Sequence, residues 1–344
     1  MELYLFVIFI LITCSFVRGK KVKTVCFYVC CMILLYIACF RDASVGFDHK
    51  SYIDASLGKE LRDEDKAKIE IVWGWLNYVF ARINIGPVFT IVTSLLSMVP
   101  LFAFVKKESK NSVFSLLLFI LIPYGFCFFL TGIRQSLAAG IVVWAYYYLM
   151  NRKYIIASVL SILAIGIHAS AFFVLLFLPI FFVDVKKMVF YALLAGSALI
   201  GFTFRYSIFD IFEVISPYVG FLSFYEGYGA YHVDDIMNTS GLLSVIVPPT
   251  VFAFLSVKYD STNDFYTKLF CCGVIGTNFF ANVPMIGRYF MYFTILQLVL
   301  VPNVFRKSTY LFKAGILLTI VYMMLYFYLF IPEATGTLKF KFFI

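Results

Sequence analysis

The chain has 344 residues, of which 62% are hydrophobic and 14% charged, with a formal net charge of +9 and a mean hydropathy of +0.94. So few polar groups cannot cover the surface of a soluble globular domain, and that class is excluded. In a membrane protein the positive balance points to cytoplasmic loops and an anionic substrate rather than to nucleic acid.

The apolar runs are continuous for roughly 15 to 20 residues, which suits bilayer-spanning helices, whereas barrel strands alternate in segments of about ten. The sequence predicts an all-α, polytopic integral membrane protein. Leu3–Val17 opens the chain. An acid precedes it and no small-residue cleavage site follows, so it is read as a retained helix rather than a signal peptide. Four cations (Arg18, Lys20, Lys21, Lys23) separate it from Thr24–Phe40. A long polar stretch follows, from Arg41 to about Asn84, in which Lys/Arg and Asp/Glu nearly balance. Within it, Lys59 to Glu70 reads as a solvated amphipathic helix, and Trp73 and Trp75 as interface anchors.

The next predicted helices are Ile85–Val105, Ser112–Leu130 and Ser136–Met150. Tyr154–Val183 is about 30 residues, too long for one span without strong tilt, and His168 divides it into two short helices. Met188–Phe204 is the eighth predicted helix. A second external loop, at about 205–240, carries Tyr218, Tyr225, Tyr228 and Tyr231. Gly241–Val257 contains Pro248-Pro249, which predicts a kink or a break. Leu269–Ala281, Met285–Val301 and Tyr310–Leu329 complete a count of about twelve spans in a single transmembrane domain covering residues 1–344. The eight cysteines lie mainly in apolar runs. Cys30-Cys31 and Cys271-Cys272 are adjacent pairs, and the spacings give neither a disulfide framework nor a metal site.

Charge orients the helices. With 18–23 placed in the cytoplasm, alternation sends 106–110, 151–153, 184–187, 258–268 and 306–313 to the same side. Those segments hold most of the Lys/Arg and few acids (Glu108, Asp184, Asp260, Asp264). Both termini then fall outside. Arg41, Asp48, Arg134, His168, Arg205 and Arg288 all reach the external face, from five separate connections. Isolated cations scattered by chance would divide between the two sides.

Arg134 is central to that set. It lies with Gln135 where one apolar run ends and another begins, in Gly132-Ile133-Arg134-Gln135-Ser136-Leu137-Ala138-Ala139-Gly140. A guanidinium at membrane depth faces the bundle interior, a partner or a wet cavity. Snorkelling to the interface is the plainer alternative. Here the arginine also opens a helix, where free N–H groups and the helix dipole favour an anion. His168, in Ile165-Gly166-Ile167-His168-Ala169-Ser170-Ala171, is a candidate proton acceptor at a helix break. Arg288-Tyr289 follows Pro284 and Gly287 at an irregular helix start. In the first external loop, Asp48 is a second candidate base, a sugar-orienting group or a partner for Arg41. Arginine forks match phosphate oxygens bidentately. No acidic cluster that would hold a metal and no Walker-type glycine loop occurs, so no cofactor is expected and the substrate must carry its own activation.

Arg41-…-Gly46-…-Asp48-…-Tyr52, Gly132-Ile133-Arg134-Gln135-…-Ala138, His168-Ala169-Ser170-Ala171 and Arg288-Tyr289 together resemble the EpsG-like family of polysaccharide polymerases. These are Wzy-type proteins of O-antigen lipopolysaccharide, capsule and exopolysaccharide assembly. The resemblance spans about residues 40 to 295. One departure is Phe47, where the family's first motif has threonine or asparagine between the glycine and the aspartate. The resemblance implies a metal-independent membrane glycosyltransferase of the bacterial inner membrane, similar to the C-type group. It would move a glycan from undecaprenyl diphosphate onto the non-reducing end of a lipid-linked repeat unit at the periplasmic face. By that analogy Arg134, Arg288 and Arg41 would hold the diphosphate, with Gln135 and Tyr289 also on the substrate. His168 or Asp48 would take the acceptor's proton, with His168 favoured as nearer the helical core. A flippase and a chain-length regulator are implied partners. Two alternatives stay open: a flippase or transporter of lipid-linked oligosaccharide, and a membrane O-acyltransferase modifying surface glycans.

Overall fold

A computed structural model of the protein describes residues 1–58, 70–83, 85–203, 239–259, 264–281, 283 and 287–343. Most of the segment expected as the Lys59–Glu70 helix and most of the aromatic loop at 205–240, together with Arg205 and Pro284, therefore lie outside the described residues. Among those described, the only β-type pairing is an isolated antiparallel bridge between Arg41 and Phe342.

The helices are α1 (Glu2–Phe16), α2 (Lys20–Cys39), α3 (His49–Ser56), α4 (Ile71–Ile83), α5 (Gly86–Glu108), α6 (Ser112–Leu121), α7 (Phe126–Thr131), α8 (Ile133–Met150) and α9 (Tyr154–Ile167). A 3₁₀ turn (Ala169–Ala171) leads into α10 (Phe172–Phe177), and a second 3₁₀ segment covers Leu178–Phe182. Then come α11 (Lys187–Thr203), α12 (Thr239–Tyr259), α13 (Phe265–Phe279), α14 (Gly287–Thr294), α15 (Gln297–Lys307), α16 (Tyr310–Leu329) and α17 (Ile331–Ala334).

Among the described residues, α2, α5 and α16 are long and apolar enough to cross a membrane, and α14 with α15 passes as a pair bent by 46°. Apolar helices of 10–17 residues add to these, α1, α6, α9 and α11 among them. Large apolar side chains lie exposed along these helices: Phe6 and Phe9 on α1, Ile155 and Ile162 on α9, Leu318 and Leu325 on α16. Water would penalise such surfaces heavily, whereas acyl chains suit them. The protein is a helical membrane protein.

Two of the expected helices are broken. Ser112–Leu130 ends early because Pro123 restricts Ile122 to an extended conformation (φ −78°, ψ 144°), so α6 stops at Leu121 and α7 starts afresh at Phe126. Met285–Val301 divides at Ile295-Leu296, where Leu296 N–H turns back to the Phe293 carbonyl. Conversely, α12 runs through Pro248-Pro249 as one helix. The break expected at His168 is present: its backbone is extended (φ −151°, ψ 117°) between α9 and the 3₁₀ turn. Lys268, grouped by sequence with a polar loop, lies inside α13. It is buried, and its ammonium caps the Val183 carbonyl at 2.5 Å.

The described residues form two compact units: Met1–Leu176 with Leu298–Arg306 and Ile320–Ile344, and Phe177–Gln297 with Lys307–Thr319. In the second unit α13 packs on α11, α12 and α14. There the buried Asn278 amide donates to Thr250 Oγ1 at 2.8 Å and to Ser197 Oγ at 3.4 Å, a polar tie among three otherwise apolar helices.

In the first unit α8 lies between α5 and α9, and α4 packs on α3 and α9. The C-terminal tail straps the loop that follows α2. Asp42 N–H donates to the Lys341 carbonyl at 2.9 Å, Phe343 N–H to Phe40 at 3.0 Å and Gly46 N–H to Gly336 at 3.0 Å. Gly46 adopts φ +93° and lies so close to the α7–α8 junction that a Cβ would sit 3.0 Å from the Leu130 carbonyl oxygen. The strap thus holds the loop bearing Asp48 against the break that precedes Arg134.

Candidate functional site

The site is assembled from four pieces of the first unit: the start of α4, the start of α8, the break after α9, and α3. Gly132 ends α7 and caps α8, so Arg134 and Gln135 lie in the first turn of α8. The Gln135 amide is buried and donates to Ser170 Oγ at 3.3 Å. That bond ties the head of α8 to the 3₁₀ turn following His168.

Glu70 brings the two candidate residues together. Its Oε2 accepts from Arg134 Nη1 at 2.9 Å, and its Oε1 accepts from His168 Nδ1 at 3.0 Å and from the Ala169 backbone N–H at 3.1 Å. The three side chains are partly sheltered, with 27% of Arg134, 24% of His168 and 13% of Glu70 exposed. Tyr52, on α3, completes the group: Arg134 Nε donates to its hydroxyl at 3.5 Å, and the guanidinium carbon lies 5.7 Å from its ring centroid. Trp73 of α4 meets the Tyr52 ring edge-on at 5.6 Å.

The electrostatics of Glu70 can be assigned. Burial alone would raise its pKa. The hydrogen bond from His168, the Arg134 charge and the Ala169 N–H outweigh that, and the carboxyl is lowered to about 2. The group is ionised at any physiological pH. Its interactions stabilise the fold above the ordinary carboxylate range and are lost as pH falls through about 2. An ionised carboxylate can only accept hydrogen bonds, so His168 must carry its proton on Nδ1 where it meets Glu70. Nε2 is then the basic nitrogen of the neutral ring.

The approach of α4 to α9 depends on Gly166, two residues before His168. A Cβ there would lie 2.6 Å from Cγ2 of Val72, itself two residues after Glu70. Valine is stiff at χ1 and cannot swing away freely. Gly166→Ala is therefore expected to push Glu70 and His168 apart, and to lower activity about tenfold or more with protein levels in the membrane unchanged. Complementation of a deletion strain, normalised to membrane-inserted protein, measures this.

The remaining sequence candidates are held differently or belong to the second unit. Asp48 stands at the head of α3 without a side-chain capping bond. Its backbone N–H donates to Thr131 Oγ1 at 3.4 Å, which sets it beside the turn before Arg134. Arg41 does not join the group. It is fully buried, and Nη1 donates to the Ala38 carbonyl and to Ser94 Oγ, the latter at 2.8 Å, rather than to Asp48. His49, a neighbour of Arg41, is buried too and donates or accepts at Thr90 Oγ1 over 2.9 Å. Burial and the adjacent Arg41 charge lower its pKa to about 3, so it stays neutral. Arg288 and Tyr289 open α14 in the second unit, each partly buried.

Glu70 is the member of the group that the sequence did not single out. Its signal was weak: the last acid of a mixed-charge run, directly ahead of the apolar Ile71-Val72-Trp73. A family model described as the EpsG family matches residues 24–342, which includes every residue of the group. No curated protein and no solved structure matches the chain.

Proposed function

Because the chain belongs to the EpsG family of glycosyltransferase-like polysaccharide polymerases, we propose that it is a Wzy-type polymerase acting on lipid-linked repeat units. The observation that carries this reading is the Glu70 carboxylate joining Arg134 and His168, an anion-binding cation beside a proton acceptor. In the proposed reaction the donor glycan arrives on undecaprenyl diphosphate. A hydroxyl at the non-reducing end of the acceptor attacks the donor's anomeric carbon. The new C–O bond forms as the bond to diphosphate breaks, and the hydroxyl proton passes to His168 Nε2. Arg134 and the N–H groups at the head of α8 stabilise the charge that develops on the departing diphosphate. A histidine whose Nδ1 is already committed to Glu70 suits this base role better than Asp48. Arg288 and Tyr289 enter the proposal on the sequence resemblance alone.

The finer expectations belong to the same proposal: about twelve spans, an architecture similar to the C-type group, a periplasm-facing site in the bacterial inner membrane, and chemistry without a metal. A flippase that supplies the repeat unit and a regulator of chain length are its expected partners.

Deletion of the gene, followed by gel analysis of surface glycans, tests the reading. A polymerase leaves single repeat units on the outer acceptor, and the wild-type gene restores the ladder. Accumulation of substrate on the inner leaflet would instead identify a flippase.

A further inference from the structure

We infer that Glu70 is a positioning residue for the polymerase reaction, holding the His168 imidazole in one tautomer and orientation and tying that ring to Arg134. The inference rests on the reading of His168 as the proton acceptor.

The geometry is more specific than a surface ion pair requires. The carboxylate is held by Arg134 Nη1, by His168 Nδ1 and by the Ala169 N–H, so both oxygens are committed. Its main chain is fixed as well, since the Glu70 carbonyl accepts from Gly74 N–H at 2.8 Å within the first turn of α4. His168 in turn sits at an extended residue between two helical segments. Glu70 meets its Nδ1 at 3.0 Å. It requires the proton on Nδ1 and leaves the basic lone pair on Nε2. When Nε2 takes the acceptor's proton, the imidazolium that forms already faces a carboxylate, which stabilises it. The same carboxylate orients Arg134 before any diphosphate arrives. One residue thereby sets the distance between the group that takes the proton and the group that holds the leaving anion.

A carboxylate that merely occupied an anion site in the absence of substrate would make the same three contacts. The two roles differ in sign. Removing a positioning carboxylate slows the reaction, whereas removing a competitor for Arg134 speeds it.

The test uses membranes of a strain lacking the chromosomal gene, which contain their own lipid-linked repeat units, supplied with wild type, E70Q, E70D or H168A. Polymer formation is followed against pH at matched protein levels. E70Q is expected to lose about 10²-fold in rate. Its acid limb should move to lower pH, because the carboxylate that favoured protonated His168 has gone. E70D, which keeps the charge, should recover part of the rate. A loss in E70Q with the limb unmoved and no recovery in E70D marks a structural role and overturns the inference. An undiminished or raised rate in E70Q overturns it too, the latter identifying a competitor for Arg134. The H168A arm separates this inference from the reading beneath it. Full activity in H168A removes the base assignment itself, whereas inactive H168A with active E70Q removes only the role given to Glu70.

Discussion

Arg134→Ala is expected to abolish long-chain polysaccharide while single repeat units still reach the outer acceptor. The guanidinium lies in the first turn of α8, where it adds to the N–H groups and positive end of that helix. A preorganised donor aimed at developing charge contributes about 10² to 10³ in rate when removed singly. On the proposed reaction, a loss of that size leaves too few additions to build a ladder. The variant should still insert. Glu70 keeps its bonds from His168 and Ala169, and the buried Gln135–Ser170 bond does not involve the arginine. Arg134→Lys makes the result specific. Lysine retains the charge but lacks the planar fork that spans Glu70 and Tyr52 and that, in the proposed reaction, would also hold a phosphate. It should give only short chains. If alanine and lysine both yield normal chain lengths at normal protein levels, the diphosphate assignment is wrong.

The sequence makes the helices legible wherever hydropathy changes sharply. The run Tyr310–Leu329 is bounded by charge on one side and proline on the other, and α16 has those limits. Hydropathy is blind to a turn made of apolar residues. The break between α6 and α7 lies in Ile122-Pro123-Tyr124-Gly125, which a hydropathy average carries straight across. The same contrast governs the site. Arg134, Gln135 and His168 stand out because polar groups are conspicuous in apolar surroundings. Glu70 is a carboxylate among many, at the end of a segment where acids and bases balance, and only the folded chain singles it out. Arg41 shows the converse. An isolated cation beside an apolar run signals burial, but the sequence does not say against what. Here the α2 carbonyl of Ala38 and the α5 hydroxyl of Ser94 take it up.

His168→Ala should separate the two candidate bases. Removing a general base from a proton transfer costs about 10² to 10⁴ in rate. The Glu70–Arg134 pair survives the change, because Arg134 bonds to the oxygen that His168 does not use. Donor binding should therefore change little and the turnover step should carry the loss. Asp48→Asn is the matching experiment. Asp48 is held through its backbone N–H rather than its carboxylate, so the amide should fit the same place at the head of α3. With His168 as base, the Asp48 variant keeps most of its polymerising rate and the His168 variant keeps almost none. The opposite ranking would move the proton to Asp48. Glu70 would then be left holding a histidine that only shapes the break after α9.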